Sequence, residues 1–243
     1  MMRLKLWVKC SLVFAALAPC AALVFLKQVS EDDSVSRIPS SMDIEEAGRE
    51  RNLYSLADWQ SVNPDVYLVL HIEGVEEAVS LPVVSTVDPD YALGHDLLGR
   101  QDPAGMIFIV RNELAGENKV IYGHASRSEN VRFTFLRKFQ EAGYFEQNRY
   151  VDVESAMGNE RYTIVSFGAY DLSQPGVYTG WADSDFEEGG REKMFLETVP
   201  YLLKKRSGIV YDGRGMVTMV TCEAGSADRR FVLQAVRAED PCG

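Results

Sequence analysis

From Asn63-Pro64 onward the chain is cut into short apolar runs, each closed by turn residues. Runs at 66–72, 79–84, 106–110, 119–122, 150–153, 161–170, 216–221 and 231–237 read as strands. They are rich in Val, Ile, Tyr and Phe, whose branched and aromatic side chains suit a pleated, half-buried surface. Asp212-Gly213 supplies a hairpin turn ahead of the first of the two late strands. About eight strands with few helices predict a mainly β fold, a closed barrel rather than an α/β sheet, because closure removes exposed strand edges.

Three helices are expected around those strands. Ser40 with Asp43 offers a capping box for an N-terminal helix running to about Gln60, with Ile44, Ala47, Tyr54 and Leu56 as its packing face. Asn130 caps a short helix that turns Phe133, Leu136 and Phe139 inward. Ser184 with Glu187 opens a third, inserted between late strands and reaching about Lys205, with Phe195, Val199, Leu202 and Leu203 inward and a kink at Pro200.

Ahead of the strands, residues 6–26 are apolar apart from Lys9 and Ser11, which is just long enough to span a bilayer as a helix. Arg3, Lys5 and Lys9 cluster at its start, and Glu31, Asp32 and Asp33 follow it. The positive-inside rule then places the N-terminus in the cytoplasm and the rest outside. A cleaved signal peptide has the same charge order, but no cleavage site stands out, and either reading leaves the domain outside. The expected organisation is a membrane anchor at 1–27, a polar linker at 28–40 and an extracellular domain at 41–243.

A formal net charge of −11 argues against a nucleic-acid partner, since phosphate binding needs a basic face. The four cysteines, Cys10, Cys20, Cys222 and Cys242, form neither a disulfide framework nor a CxxC pair, and no metal site or cofactor is expected. Cys222 stands alone inside the globular part. A buried filler cysteine belongs in mid-strand; this one sits at the end of strand 216–221, with polar Glu223, Gly225, Ser226 and Asp228 after it.

Each of the three histidines can be weighed. His71 lies in an apolar strand and reads as a packed or edge residue; His95 follows Gly94 in a polar loop, where a structural hydrogen bond is the default. His124 ends a short buried strand after Gly123, and the glycine permits a sharp exit that would turn the imidazole into a cleft. Arg230 shares a strand face with Val232 and Gln234, at the same end as Cys222 if the last two strands are neighbours. Arg229 reads as a solvated strand residue. A thiol, an imidazole and a guanidinium at strand ends form the set that acyl transfer through a thioester requires.

The order of these segments resembles the sortases, class B in particular. Ile121-Tyr122-Gly123-His124 is similar to the family's YGH segment, Val220-Thr221-Cys222 to the end of its TLxTC segment, and Arg230 to its arginine eight residues after the cysteine. Asp90-Tyr91-Ala92-Leu93-Gly94-His95-Asp96 and Gly105-Met106-Ile107-Phe108 extend the match, which covers roughly Ser41 to Arg237. The chain departs from the family with Thr218-Met219-Val220 in the cysteine strand and with no tryptophan in Val66-Tyr67-Leu68-Val69-Leu70.

The resemblance implies a sortase β-barrel and a two-step transpeptidation. Cys222 would cleave a C-terminal sorting motif of a secreted protein and hold it as a thioester. His124 would serve as acid and base, and Arg230 as oxyanion stabiliser with the backbone N–H of Glu223 as second donor. The acceptor would be an amine of the cell-wall (peptidoglycan) precursor or, in the alternative, a pilin lysine. A membrane-tethered binding module with an inactive site is a third reading, and the presence of all three catalytic residue types argues against it.

Overall fold

The computed structural model describes residues 54–78, 80–126, 132–207, 215–222, 226 and 228–237. The chain divides into two units, Met1–Tyr54 and Ser55–Gly243, and the elements described lie in the second. Among the described residues no helix is long and apolar enough to cross a membrane. The apolar segment 6–26, the Ser40–Asp43 cap, Asn130 and Asp212-Gly213 all fall outside them.

The first described helix, α1 (Leu56–Val62), starts at Ser55, whose hydroxyl accepts from the Asp58 N–H while the Asp58 carboxylate accepts from the Ser55 N–H. It buries Leu56 and Trp59. Strands β1 (Val66–Ile72), β2 (Leu81–Thr86), β3 (Ile107–Val110) and β4 (Asn118–Tyr122) follow, with α2 (Pro89–Gly94) carrying the chain from β2 to its parallel neighbour β3. Asp88 caps α2 through its carboxylate, and Pro89 occupies the first turn, where a missing N–H costs nothing. A 3₁₀ run, Thr134–Gln140, and α3 (Tyr144–Gln147) lead to β5 (Tyr150–Ser155) and the long β6 (Gly158–Asp171). The chain then forms α4 (Gly190–Thr198) and β7 (Leu202–Lys205), and ends on β8 (Met216–Cys222) and β9 (Arg229–Arg237).

The strands pair in the order β5-β1-β2-β3-β4-β8-β9-β6, and β5 pairs again with β6, so eight strands close on themselves. β7 extends the wall by pairing with β6 beyond the reach of β5. Alternation divides each strand between two faces. Leu68, Leu70 and Ile72 of β1, Val217 and Met219 of β8, and Phe231, Leu233 and Ala235 of β9 belong to one interior cluster, joined by Phe133, Phe135, Leu136, Phe139 and Phe145. Burying each of these side chains except Ala235 contributes roughly 1.5–3 kcal/mol.

The other residues of β4, β8, β9 and β6 form rows across the outside of the barrel. Val120, Thr218, Gln234 and Ser166 make one; Tyr122, Val220, Val232 and Gly168 make the next. The segment between β6 and β7 covers them. Tyr170 rests against Trp181 and Tyr201, Gln234 Nε2 donates to the Met194 sulfur, and the Asn118 side chain donates to the carbonyls of Trp181 and Asp183 at 3.0 Å each.

That segment differs from the single helix expected over 184–205. Gly189, at φ +73°, delays the helix to Gly190, and the Ser184 carbonyl accepts from the Asn118 N–H instead of opening a cap. Pro200 ends the helical path in a 3₁₀ turn, and Leu202–Lys205 is strand. The buried face is Met194 and Thr198; Val199 and Leu203 are exposed.

Asn118 is fully buried, and its side-chain oxygen accepts from Thr218 Oγ1 at 2.8 Å while its amide holds the inserted segment. Asn118→Ala strands three polar partners, so stability should fall by about 2–4 kcal/mol in urea unfolding. A loss under about 0.5 kcal/mol, the range of ordinary surface changes, would contradict this role.

Candidate active site

β4 and β8 run parallel with Tyr122 beside Val220, and the Gly123 N–H extends the ladder by donating to the Val220 carbonyl at 3.1 Å. His124 and Cys222 each lie two residues further, at the same end of these two strands. On the other side of β8, Cys222 is directly opposite Arg230 of β9, and Arg230 is directly opposite Tyr170 of β6. Directly opposed residues share a face with Cβ atoms about 4.5–5.5 Å apart. Cys222, Arg230 and Tyr170 thus form the last outer row of the barrel wall, and His124 stands at its β4 end. Tyr170, under the inserted segment, buries its ring completely.

Cys222 is the last residue of β8, half-buried and without a disulfide. Burial pushes its thiol above the ordinary 9.0, and the guanidinium of Arg230 pulls in the opposite direction. Arg230 is only 5% exposed, and one of its N–H groups donates to the Arg229 carbonyl at 3.1 Å. Arg229, one residue out of register, is exposed.

Nε2 of the His124 imidazole lies 3.1 Å from the Leu93 carbonyl at the end of α2. A carbonyl only accepts, so Nε2 carries the proton of that bond. Burial lowers the affinity of His124 for a second proton below the ordinary 6.5; the Leu93 bond raises it, nearby Arg132 lowers it, and Asp102 raises it. Gly123 serves a different purpose from the sharp exit expected of it. It lacks a positive φ, and a Cβ there would meet the Phe133 ring at 2.9 Å. Close packing against the interior is what demands glycine.

The remaining candidates separate from this cluster. His71 sits on β1 between β5 and β2, its alternate neighbours in the core. His95 stacks on Tyr91 with ring centres 4.0 Å apart and its Nδ1 lies 2.9 Å from the Tyr91 carbonyl, a structural arrangement. Glu223 falls outside the described residues. Among the described residues no three His, Cys, Asp or Glu side chains gather as metal ligands. A cavity of about 310 Å³ under α4 is bounded by Val236, at the opposite end of β9 from Arg230. Its arginines already serve other groups: Arg191 pairs with Glu117, and Arg206 with the Ile164 and Phe145 carbonyls. The sequence marks Leu93 only within the 90–96 segment and gives no signal for Asp102 or Arg132; the Asp88-Pro89 helix start is the local signal for α2.

No family model matches the sequence. Sortase B of Listeria monocytogenes serovar 1/2a is 26% identical over 172 residues, which cover 69% of this chain and 67% of the relative. The crystal structure of Clostridium perfringens sortase B superposes with a TM-score of 0.66 at 24% identity, over 76% of this chain and all of the other. The Staphylococcus aureus sortase B–substrate complex gives 0.64 at 16% identity, over 81% and 91%. A crystal structure of sortase B complexed with triglycine gives 0.65 at 16%, over 81% and 92%. Barrel and sequence match agree: the chain has the sortase B fold and is similar in sequence to sortase B.

Proposed function

We propose that Cys222, His124 and Arg230 carry the transpeptidation, with the backbone N–H of Glu223 as a second oxyanion donor. We further propose that the substrate is a secreted protein with a C-terminal sorting motif, and the acceptor an amine of the cell-wall precursor. One observation carries the reading: β8 sets Cys222 directly opposite the buried Arg230 and brings His124 to the same strand end from the other side. That the fold is shared with a sortase B–substrate complex and with sortase B bound to triglycine supports a peptide substrate and an amine acceptor. The anchor at 6–26 would hold the domain outside the membrane, next to both.

The chemistry follows from the arrangement. The Cys222 thiolate attacks the scissile carbonyl, and the negative charge that forms on its oxygen develops beside the Arg230 guanidinium. A cation fixed in a dry site stabilises that charge without reorganising, which is where such groups gain their effect. As the intermediate collapses, the C–N bond breaks and the His124 imidazolium gives its proton to the leaving amine. The thioester then meets the acceptor amine, whose proton returns to His124 as the new amide forms and the thiolate departs. Water in place of the amine would give hydrolysis.

Turnover of quenched sorting-type peptides with and without triglycine tests the reading: a new amide to triglycine supports it, and products of water alone at every triglycine concentration would contradict it. Arg230→Ala should lower kcat/KM by roughly 10²-fold or more, while Arg229→Ala should stay within about threefold, because Arg229 is exposed. A larger loss at Arg229 would shift the register of the site by one residue.

The reactive form pairs a thiolate with an imidazolium. Below the lower titration of the pair the thiol is protonated; above the upper one the imidazolium is gone; between them the reactive share stays constant. Burial lowers His124 from 6.5 and raises Cys222 from 9.0, so kcat/KM should have an acid limb below 6.5 and an alkaline limb above 9.0. Arg230→Gln removes the charge that favours the thiolate and should move the alkaline limb to higher pH. An alkaline limb near neutrality would contradict this ordering.

A further inference from the structure

His124 stands in a closed loop of contacts built from residues outside the proposed catalytic set. Its Nε2 meets the Leu93 carbonyl at 3.1 Å. That carbonyl lies against Gly105, where a Cβ would come within 2.7 Å of the Leu93 oxygen and 2.9 Å of the Ala92 oxygen. Gly105 is at φ +62°, a conformation L side chains rarely adopt, and the next residue, Met106, donates its N–H to the Ala92 carbonyl at 2.7 Å. The end of α2 is thus pressed onto a backbone that leaves no room for a side chain.

Arg132 closes the loop from the other side. Its Nε donates to the Gly105 carbonyl at 2.5 Å, and its Nη2 donates to the Asp102 carboxylate at 3.3 Å. Asp102 in turn accepts from the Ala104 N–H with its side chain and from the Gly105 N–H with its carbonyl, which folds 102–105 into a tight turn. Arg132 itself sits at φ +45°, a left-handed conformation unusual for a long side chain. Such backbone costs of order 1 kcal/mol persist where the surroundings over-determine them, and they gather at functional sites. The residue after it, Phe133, donates its N–H to the His124 carbonyl at 2.9 Å, so one short segment fixes the backbone of His124 and, through Gly105 and Leu93, its ring.

We propose that Gly105 and Arg132 are positioning residues for the transpeptidation: through the Leu93 carbonyl they lock the His124 imidazole with its proton on Nε2, and so assign the proton exchanged with the leaving and incoming amines to Nδ1. The inference rests on His124 being the acid and base. It adds which nitrogen works and which residues decide it. Each acts on the ring through the backbone between them. Asp102 supports the same turn, because without its carboxylate the Arg132 fork loses one of its two anchors.

The test combines ring ¹⁵N NMR of His124 with steady-state kinetics on the whole chain, for the wild type, Gly105→Ala, Arg132→Gln and His124→Ala. In the wild type at high pH, where the ring is neutral, His124 should be the Nε2–H tautomer; a predominant Nδ1–H tautomer would overturn the proposal without any variant. Gly105→Ala must displace the Leu93 carbonyl. It should lose the tautomer preference and lower kcat by roughly 10- to 100-fold, the cost of a misplaced catalytic group, with KM for the sorting peptide within about twofold. Arg132→Gln should move the same two readouts in the same direction. A lowered kcat with the Nε2–H tautomer intact would make both residues merely structural and overturn the proposal. His124→Ala separates the two levels. If it turns over like the wild type, the acid/base reading fails; if it is inactive while both positioning variants keep tautomer and kcat, the positioning inference alone fails.

Discussion

β8 is paired on one side with β4, running parallel, and on the other with β9, running antiparallel. The site depends on this combination. A parallel neighbour ends where β8 ends, so a residue just past β4 arrives beside the last residue of β8. An antiparallel neighbour begins where β8 ends, so an early residue of β9 lies opposite the same position. Cys222 therefore has His124 to one side and Arg230 to the other although 98 residues separate His124 from Cys222 in the chain. Barrel closure through β5 and β6 holds the register, because a slip of one residue would turn Val217, Met219, Phe231 and Leu233 out of the interior.

The same geometry sets an electrostatic conflict. Burial disfavours both charged forms that the proposed reaction needs, the Cys222 thiolate and the His124 imidazolium, and each tenfold change in ionisation costs about 1.4 kcal/mol. Arg230 favours the thiolate, while Leu93 and Asp102 favour the imidazolium against Arg132. Burial therefore favours the thiol and imidazole forms of the pair over the charged ones. In the proposed reaction the same dry surroundings that disfavour these charged forms would strengthen Arg230 at the developing oxyanion.

Much of this was legible before any coordinates. The eight expected strands all exist, β1 with the expected ends and the others with shifted ones, since period-two alternation and turn residues are local signals. Cys222 and Arg230 were readable as a facing pair because two consecutive strands leave few alternatives. The inserted segment misleads for a physical reason: Phe195, Val199 and Leu202 repeat at helical spacing, but Gly189 delays the helix and Pro200 cuts it, so Leu202–Lys205 pairs with β6. At Gly123 the local pattern suggests conformational freedom, whereas the Phe133 ring requires its lack of a side chain, a long-range contact no local pattern encodes. The supports of His124 share that character. Leu93, Gly105 and Arg132 meet only because α2 packs beside β3 and the segment before Thr134 folds back onto both.

The central claim is that the acyl group passes through Cys222. Intact-mass analysis of the chain, quenched in acid during turnover of a sorting-type peptide and mapped by proteolysis, measures it directly. The account predicts one acyl adduct, on Cys222 and not on Cys242, that disappears when triglycine is added before the quench and is absent from Cys222→Ala. Turnover with no adduct, or an adduct on another residue that triglycine discharges, would contradict it.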